Sequence, residues 1–157
     1  MTPLALSTDD LRERTTDKGF GLARGLVADK KVVHLVRRGA SLHGAVRGSD
    51  LHPYRVTVPL TESGVGTPSC SCPSTDKRNW CKHVVAVLLR AMNAPDAIEE
   101  RPSLSDVIAA QSPEALHAAL LGLAEAHPHL ADEIEARVQG QDYKRPSWDF
   151  GFDGWKV

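Results

Sequence analysis

Three cysteines and one histidine crowd into a short stretch of this chain. They read Cys70-Ser71-Cys72, then eight intervening residues, then Cys81-Lys82-His83. Three thiolates and an imidazole are the soft and borderline donors that suit tetrahedral zinc. The chain has only these 3 cysteines. An odd number packed so closely is a poor disulfide framework and a good metal cluster for a reducing compartment. Four protein ligands also close the coordination shell and leave no position for water or substrate. The expectation is therefore one structural Zn2+ held by Cys70, Cys72, Cys81 and His83, with no catalytic residue.

Both ligand pairs are spaced i, i+2, and that spacing constrains the backbone. In a flat strand such residues point to opposite faces, so Cys70 and Cys72 require a tight knuckle, with Pro73 helping to end any strand. In a helix, i and i+2 lie roughly 200° apart. Cys81 is therefore predicted just before or at a helix start, with His83 in the first turn, where the helix dipole favours thiolate over thiol.

The elements around the cluster follow from periodicity. Residues 1–19 are polar, with Ser7 or Thr8 able to cap a short helix through Arg14. Residues 22–60 carry strand signals. Val32–Arg38 is rich in β-branched residues, Gly39-Ala40 makes a turn, Ser41–Arg47 follows, and Tyr54–Leu60 alternates apolar with polar. The short connections imply an antiparallel sheet. Val84, Val85, Leu88, Leu89 and Met92 recur at helical spacing and predict a core-facing helix. The segment 94–102 reads as a linker. Beyond it, Ser103 or Ser105 starts a short helix, Ser112-Pro113-Glu114 starts a second, and Pro128 starts a third that Gly140 closes. The leucines at 116–123 read as core. The expected class is α+β: a small antiparallel sheet with a zinc knuckle and helix, a ββα-like finger, followed by a C-terminal helical hairpin. The expected organisation is a polar segment 1–19, a β-rich zinc-binding domain 20–93, the linker, a helical region 103–140 and an aromatic tail 141–157.

The wording Cys70-Ser71-Cys72-Pro73 and Cys81-Lys82-His83-Val84-Val85-Ala86 resembles the SWIM-type zinc finger family, and bacterial members in particular. The family signature is Cys-x-Cys, a variable spacer, then Cys-x-His. The likeness extends over roughly residues 20–92 and includes Gly48-Ser49 and Pro53-Tyr54-Arg55-Val56 upstream. It implies a zinc-stabilised module that binds DNA or proteins, acting alone or as a subunit.

Charge bears on the choice of partner. The whole chain has a formal charge of −1, but residues 1–90 hold 14 Lys+Arg against 8 Asp+Glu, while residues 91–157 hold 5 against 12. A basic first half attracts phosphate, and an acidic second half repels it. Lys77, Arg78, Trp80 and Lys82 suggest a basic, aromatic fingertip for nucleic acid, or else a solvated loop with Trp80 packed on the knuckle. Arg37, Arg38, Arg47 and Arg55 could add a basic sheet face, although a solvated outer face is the commoner meaning of such residues. His34, His43 and His52 are expected as surface residues. The tail holds Trp148, Phe150, Phe152 and Trp155, which either fold back on the chain or anchor a partner.

The leading expectation is a non-enzymatic, nucleic-acid-binding zinc module; the alternative is a protein–protein adaptor that uses the zinc domain and the tail. No phosphate loop or nucleophile motif favours an enzyme, and nothing suggests a small-molecule substrate. The longest apolar run, Val84 to Leu89, is far short of the roughly 20 residues that cross a bilayer. The first ten residues do not read as a signal peptide, so a cytoplasmic protein without a membrane partner is expected.

Overall fold

A computed structural model describes residues 6–62, 64–73 and 80–142. The architecture is α+β, and the chain divides into two compact units, residues 1–103 and 104–157.

The first unit opens with two helices. α1 (Thr8–Glu13) starts in a capping box, in which Ser7 and Asp10 satisfy each other's backbone amides. α2 (Asp17–Ala28) is capped by Thr16, whose hydroxyl accepts from the Gly19 amide at 3.0 Å. The zinc domain, read as β-rich from residue 20, therefore begins in a helix, and residues 22–28 are not strand. Gly19, Gly21 and Gly25 lower the helix propensity of this stretch. Packing overrides that weakness: Phe20 and Ala23 are buried, Leu26 and Val27 pack against the core, and α2 lies along a later helix. Lys30, at φ 55°, ends α2, with its own amide bonded to Val27 O and the Lys31 amide to Leu26 O. This is a Schellman turn with lysine where glycine is usual.

β1 (Val32–Arg38), β2 (Ser41–Val46) and β3 (Tyr54–Thr61) form an antiparallel meander. Gly39, at φ 52°, makes the first turn. The short strands β4 (Gly64–Val65) and β5 (Ser69–Cys70) both pair with β3. Leu35, Gly44, Val56 and Cys70 stand opposite one another in a single row across four strands. A ligand cysteine thus terminates a row of core residues.

α3 (Lys82–Asn93) lies against this face of the sheet, with α2 on its other side. Every residue from His83 to Leu89 is buried. A helix apolar on nearly all sides must be covered on nearly all sides, and Leu11, Phe20 and Ala23 complete the cover that Leu42, Val46, Val56 and Val58 begin. Each buried Val or Leu side chain contributes about 1.5–3 kcal/mol.

The stretch read as a linker is ordered. A 3-10 turn at Pro95–Ala97 leads into β6 (Glu99–Arg101), which pairs with β1 in parallel at the sheet edge. Ile98 packs on the core, Arg37 pairs with Glu100 at 3.8 Å, and Arg38 donates to Pro102 O at 3.3 Å. A polar three-residue edge strand has no alternation to reveal it, and polar edges are how sheets resist pairing with other chains.

The second unit holds α4 (Leu104–Ala109), α5 (Pro113–Ala126) and α6 (Ala131–Val138). Ser112 caps α5 by accepting from the Ala115 amide at 3.2 Å, and Pro113 takes the first helical position. α5 and α6 touch as a hairpin through a 3-10 turn at Pro128–Leu130. Gly140, at φ 68°, closes α6 in a second Schellman turn: Gly140 bonds Arg137 O, and Gln141 bonds Ala136 O. The leucine stripe expected as core is not buried. Leu120, Leu121 and Leu123 are each 41–54% exposed, and α4, α5 and α6 contain no buried residue.

β2 and α3 pack closely at Gly44. A Cβ on Gly44 would stand 2.5 Å from a Val87 methyl, so Gly44→Ala should destabilise the fold by about 1–3 kcal/mol through overpacking. Thermal unfolding should show that Gly44→Ala combined with Val87→Ala is less destabilised than the two single changes added together. Strict additivity would mean that the two positions do not meet.

Candidate metal centre

The sheet and α3 bring the four sequence-predicted ligands together. Cys70 closes β5 opposite Val56. The next residue is locked to the edge of β3: the Ser71 amide donates to Arg55 O at 3.0 Å, and the Arg55 amide donates to the Ser71 hydroxyl at 2.9 Å. The chain thereby turns at Ser71 and carries Cys72 past the strand end. Cys81 is the N-cap of α3, with extended dihedrals of φ −68° and ψ 158°, and His83 lies in the first turn. The ligand atoms of all four residues fall within 4.8 Å of one another. Tetrahedral zinc ligands at normal bond lengths stand roughly 3.5–4 Å apart, so this is a cluster that one ion draws together.

Electrostatics inside the cluster favour a cation. A hydrogen bond from Cys70 is the largest influence on Cys81 and holds its thiol down at about 3, against the opposing effect of burial; His83, the Val84 amide and Cys72 add to the lowering. The same bond, with burial, pushes Cys70 up. Metal binding displaces the protons that remain on the thiols. His83 is 4% exposed, its Nδ1 lies 3.9 Å from Cys70 Sγ, and its Nε2 is buried with no hydrogen-bond partner among the described residues. A buried imidazole so weakly engaged by protein groups is costly, and coordination to zinc compensates.

Two neighbours orient these ligands. The Tyr54 ring lies 4.4 Å from the His83 ring, centroid to centroid, and its hydroxyl meets the Ser49 hydroxyl at 3.3 Å. Gly48 leaves room for that ring, since a Cβ there would come within 2.2 Å of Tyr54 Cε2. On the other side, the Trp80 amide donates to Arg14 O at 2.7 Å, and the Thr15 hydroxyl donates to Trp80 O at 2.8 Å. The Arg14 guanidinium sits 4.9 Å over the Trp80 ring. The connection between α1 and α2 therefore clamps the chain one residue before Cys81. Sequence reasoning missed Arg14 and Thr15 because nothing local marks a contact across so many residues. Beside the cluster opens a cavity of about 380 Å³, whose lining includes Thr15, Thr16, Ser49, Tyr54, Trp80 and Lys82.

Lys82 is exposed on the first turn of α3, and Trp80 is half-buried. Lys77 and Arg78 lie outside the described residues, as do Trp148, Phe150, Phe152 and Trp155. Arg37 and Arg38 are engaged by Glu100 and by the Pro102 carbonyl. His34 is exposed, while His43 is half-buried and meets the Thr57 hydroxyl at 3.3 Å. Among the described residues no helix is long and apolar enough to cross a membrane.

A Cys3His cluster held between a strand-end knuckle and a helix N-terminus defines a structural zinc finger. The model of the SWIM zinc finger family matches residues 54–92, from the start of β3 into the last turn of α3, so this segment is similar to that finger. No curated protein and no solved structure matches the chain.

Metal analysis should find about one equivalent of zinc per chain, as one closed four-ligand site requires. Cys81→Ser should lose it and speed amide exchange at residues 80–92, while α5 and α6 keep their wild-type protection, because ligation supplies local folding energy. Unchanged exchange at 80–92 in the zinc-free variant would show that the ion is dispensable to the fold.

Proposed function

We propose that this zinc finger is a non-catalytic nucleic-acid-binding module, acting alone or as a subunit, and that its contact surface lies around the N-terminus of α3. One observation carries the reading: the Arg14 guanidinium is stacked on Trp80 beside exposed Lys82, immediately next to the ligand Cys81. Stacking holds a guanidinium flat and leaves its edge donors free for phosphate oxygens, a geometry that lysine cannot reproduce. Lys77 and Arg78 belong to the same short segment of sequence and extend its positive charge. The excess of basic residues in 1–90 draws a polyanion to this side of the chain. Zinc acts here as a structural staple: four protein ligands leave it no open position for chemistry. On this reading residues 20–93, clamped by the α1–α2 connection, make the contact.

The contact is with DNA or another nucleic acid, and salt dependence distinguishes it from a protein contact. Binding to a labelled duplex and a labelled single strand should weaken steeply as salt rises. Replacing Arg14, Lys77, Arg78 and Lys82 by Ala one at a time should lower the slope of log K against log salt by about 0.9 each on duplex, with similar losses on unrelated sequences. Zinc content should not change. Absence of binding at low salt would overturn the proposal in favour of a protein–protein adaptor, the reading that the acidic second half supports.

A further inference from the structure

The second unit leaves large apolar side chains exposed. Leu104 and Ile108 of α4, Leu120 and Leu123 of α5, and Val138 of α6 are each 41–72% exposed. Leu120 and Leu123 share the stripe of Leu116, the side by which an amphipathic helix normally packs, yet Leu116 itself is only half-buried. An exposed apolar stripe such as that of Leu116, Leu120 and Leu123 on α5 marks a contact. We propose that the occupant of this face is the chain's own segment 143–157.

Three features select that segment. The first is where it starts. The Schellman turn at Gly140 ends α6, so the segment begins a few residues beyond the helix hairpin that carries the exposed stripe. Fifteen residues reach up to about 50 Å when extended, against roughly 21 Å for the length of α5.

The second is its pattern. Trp148, Phe150 and Phe152 alternate with Asp149, Gly151 and Asp153. In an extended chain this places the aromatics on one side and the carboxylates on the other. Such a strip covers leucines with its rings, each able to bury about 150–250 Å², and keeps its charges in water. The third is tethering. A segment joined by a few residues faces its site at an effective concentration in the millimolar range, well above that of a second copy or a separate partner.

The test uses the full-length, zinc-loaded protein carrying Trp80→Phe, so that emission comes from Trp148 and Trp155 alone. That emission should be blue-shifted, shielded from acrylamide and unchanged on dilution. Phe150→Ser with Phe152→Ser, like removal of residues 143–157, should accelerate amide exchange in α5 and α6 by about tenfold or more, with zinc content intact. Indoles as accessible as in denaturant would overturn the proposal. Shielding that disappears on dilution would also overturn it and place a second copy on the face. Shielding with unaltered exchange in α5 and α6 would overturn it by locating the tail elsewhere.

Discussion

The pairing of β5 with β3 is the constraint on which the zinc site depends. It sets Cys70 opposite Val56, at the end of the row that runs through Gly44 and Leu35. α3 packs along that row, with Val87 against Gly44. Because the helix is located by the sheet, its N-terminus is located too, and with it Cys81 and His83. A shift of β5 by one residue would turn Cys70 to the other face of the sheet and remove it from the cluster. The two hydrogen bonds between Ser71 and Arg55 oppose such a slip.

Apolar burial and metal ligation therefore stabilise different ends of one helix. The middle of α3 is covered by side chains from the sheet, α1 and α2. Its first turn has no side-chain cap, and there the thiolates stand where a capping carboxylate often does, favoured by the same orphan amides and dipole. The Trp80 clamp restrains the chain on entry to the helix, and the Tyr54 ring restrains the imidazole just inside it.

Much of this was legible because the signals are local. The Cys-x-Cys and Cys-x-His spacings mark the ligands, and alternation in 54–60 and the helical period in 84–92 mark the two elements that hold them. Ser112-Pro113 and Gly140 mark helix ends by their backbone chemistry alone. What was not legible depends on distant partners. Three glycines hid α2, which packing maintains against propensity. β6 is polar throughout and is recognised only by its place beside β1. Arg14 and Thr15 look like ordinary helix-end residues until Trp80 is seen between them and the cluster. Leu120 and Leu123 showed the right spacing for a core, but spacing cannot reveal whether a partner surface is there to meet it.

The row from Leu35 to Cys70 also bears on what can be excised. The family-matched segment, 54–92, holds the ligands and α3 but neither β1 nor β2, neither α1 nor α2, and no clamp on Trp80. Cut at those limits, α3 would present Val87 and its neighbours to water, and β3 would become an open edge. A recognisable motif is in this case smaller than the cooperative body that makes it stable. The elements packed around the finger run from the cap at Ser7 to the edge strand that ends at Arg101.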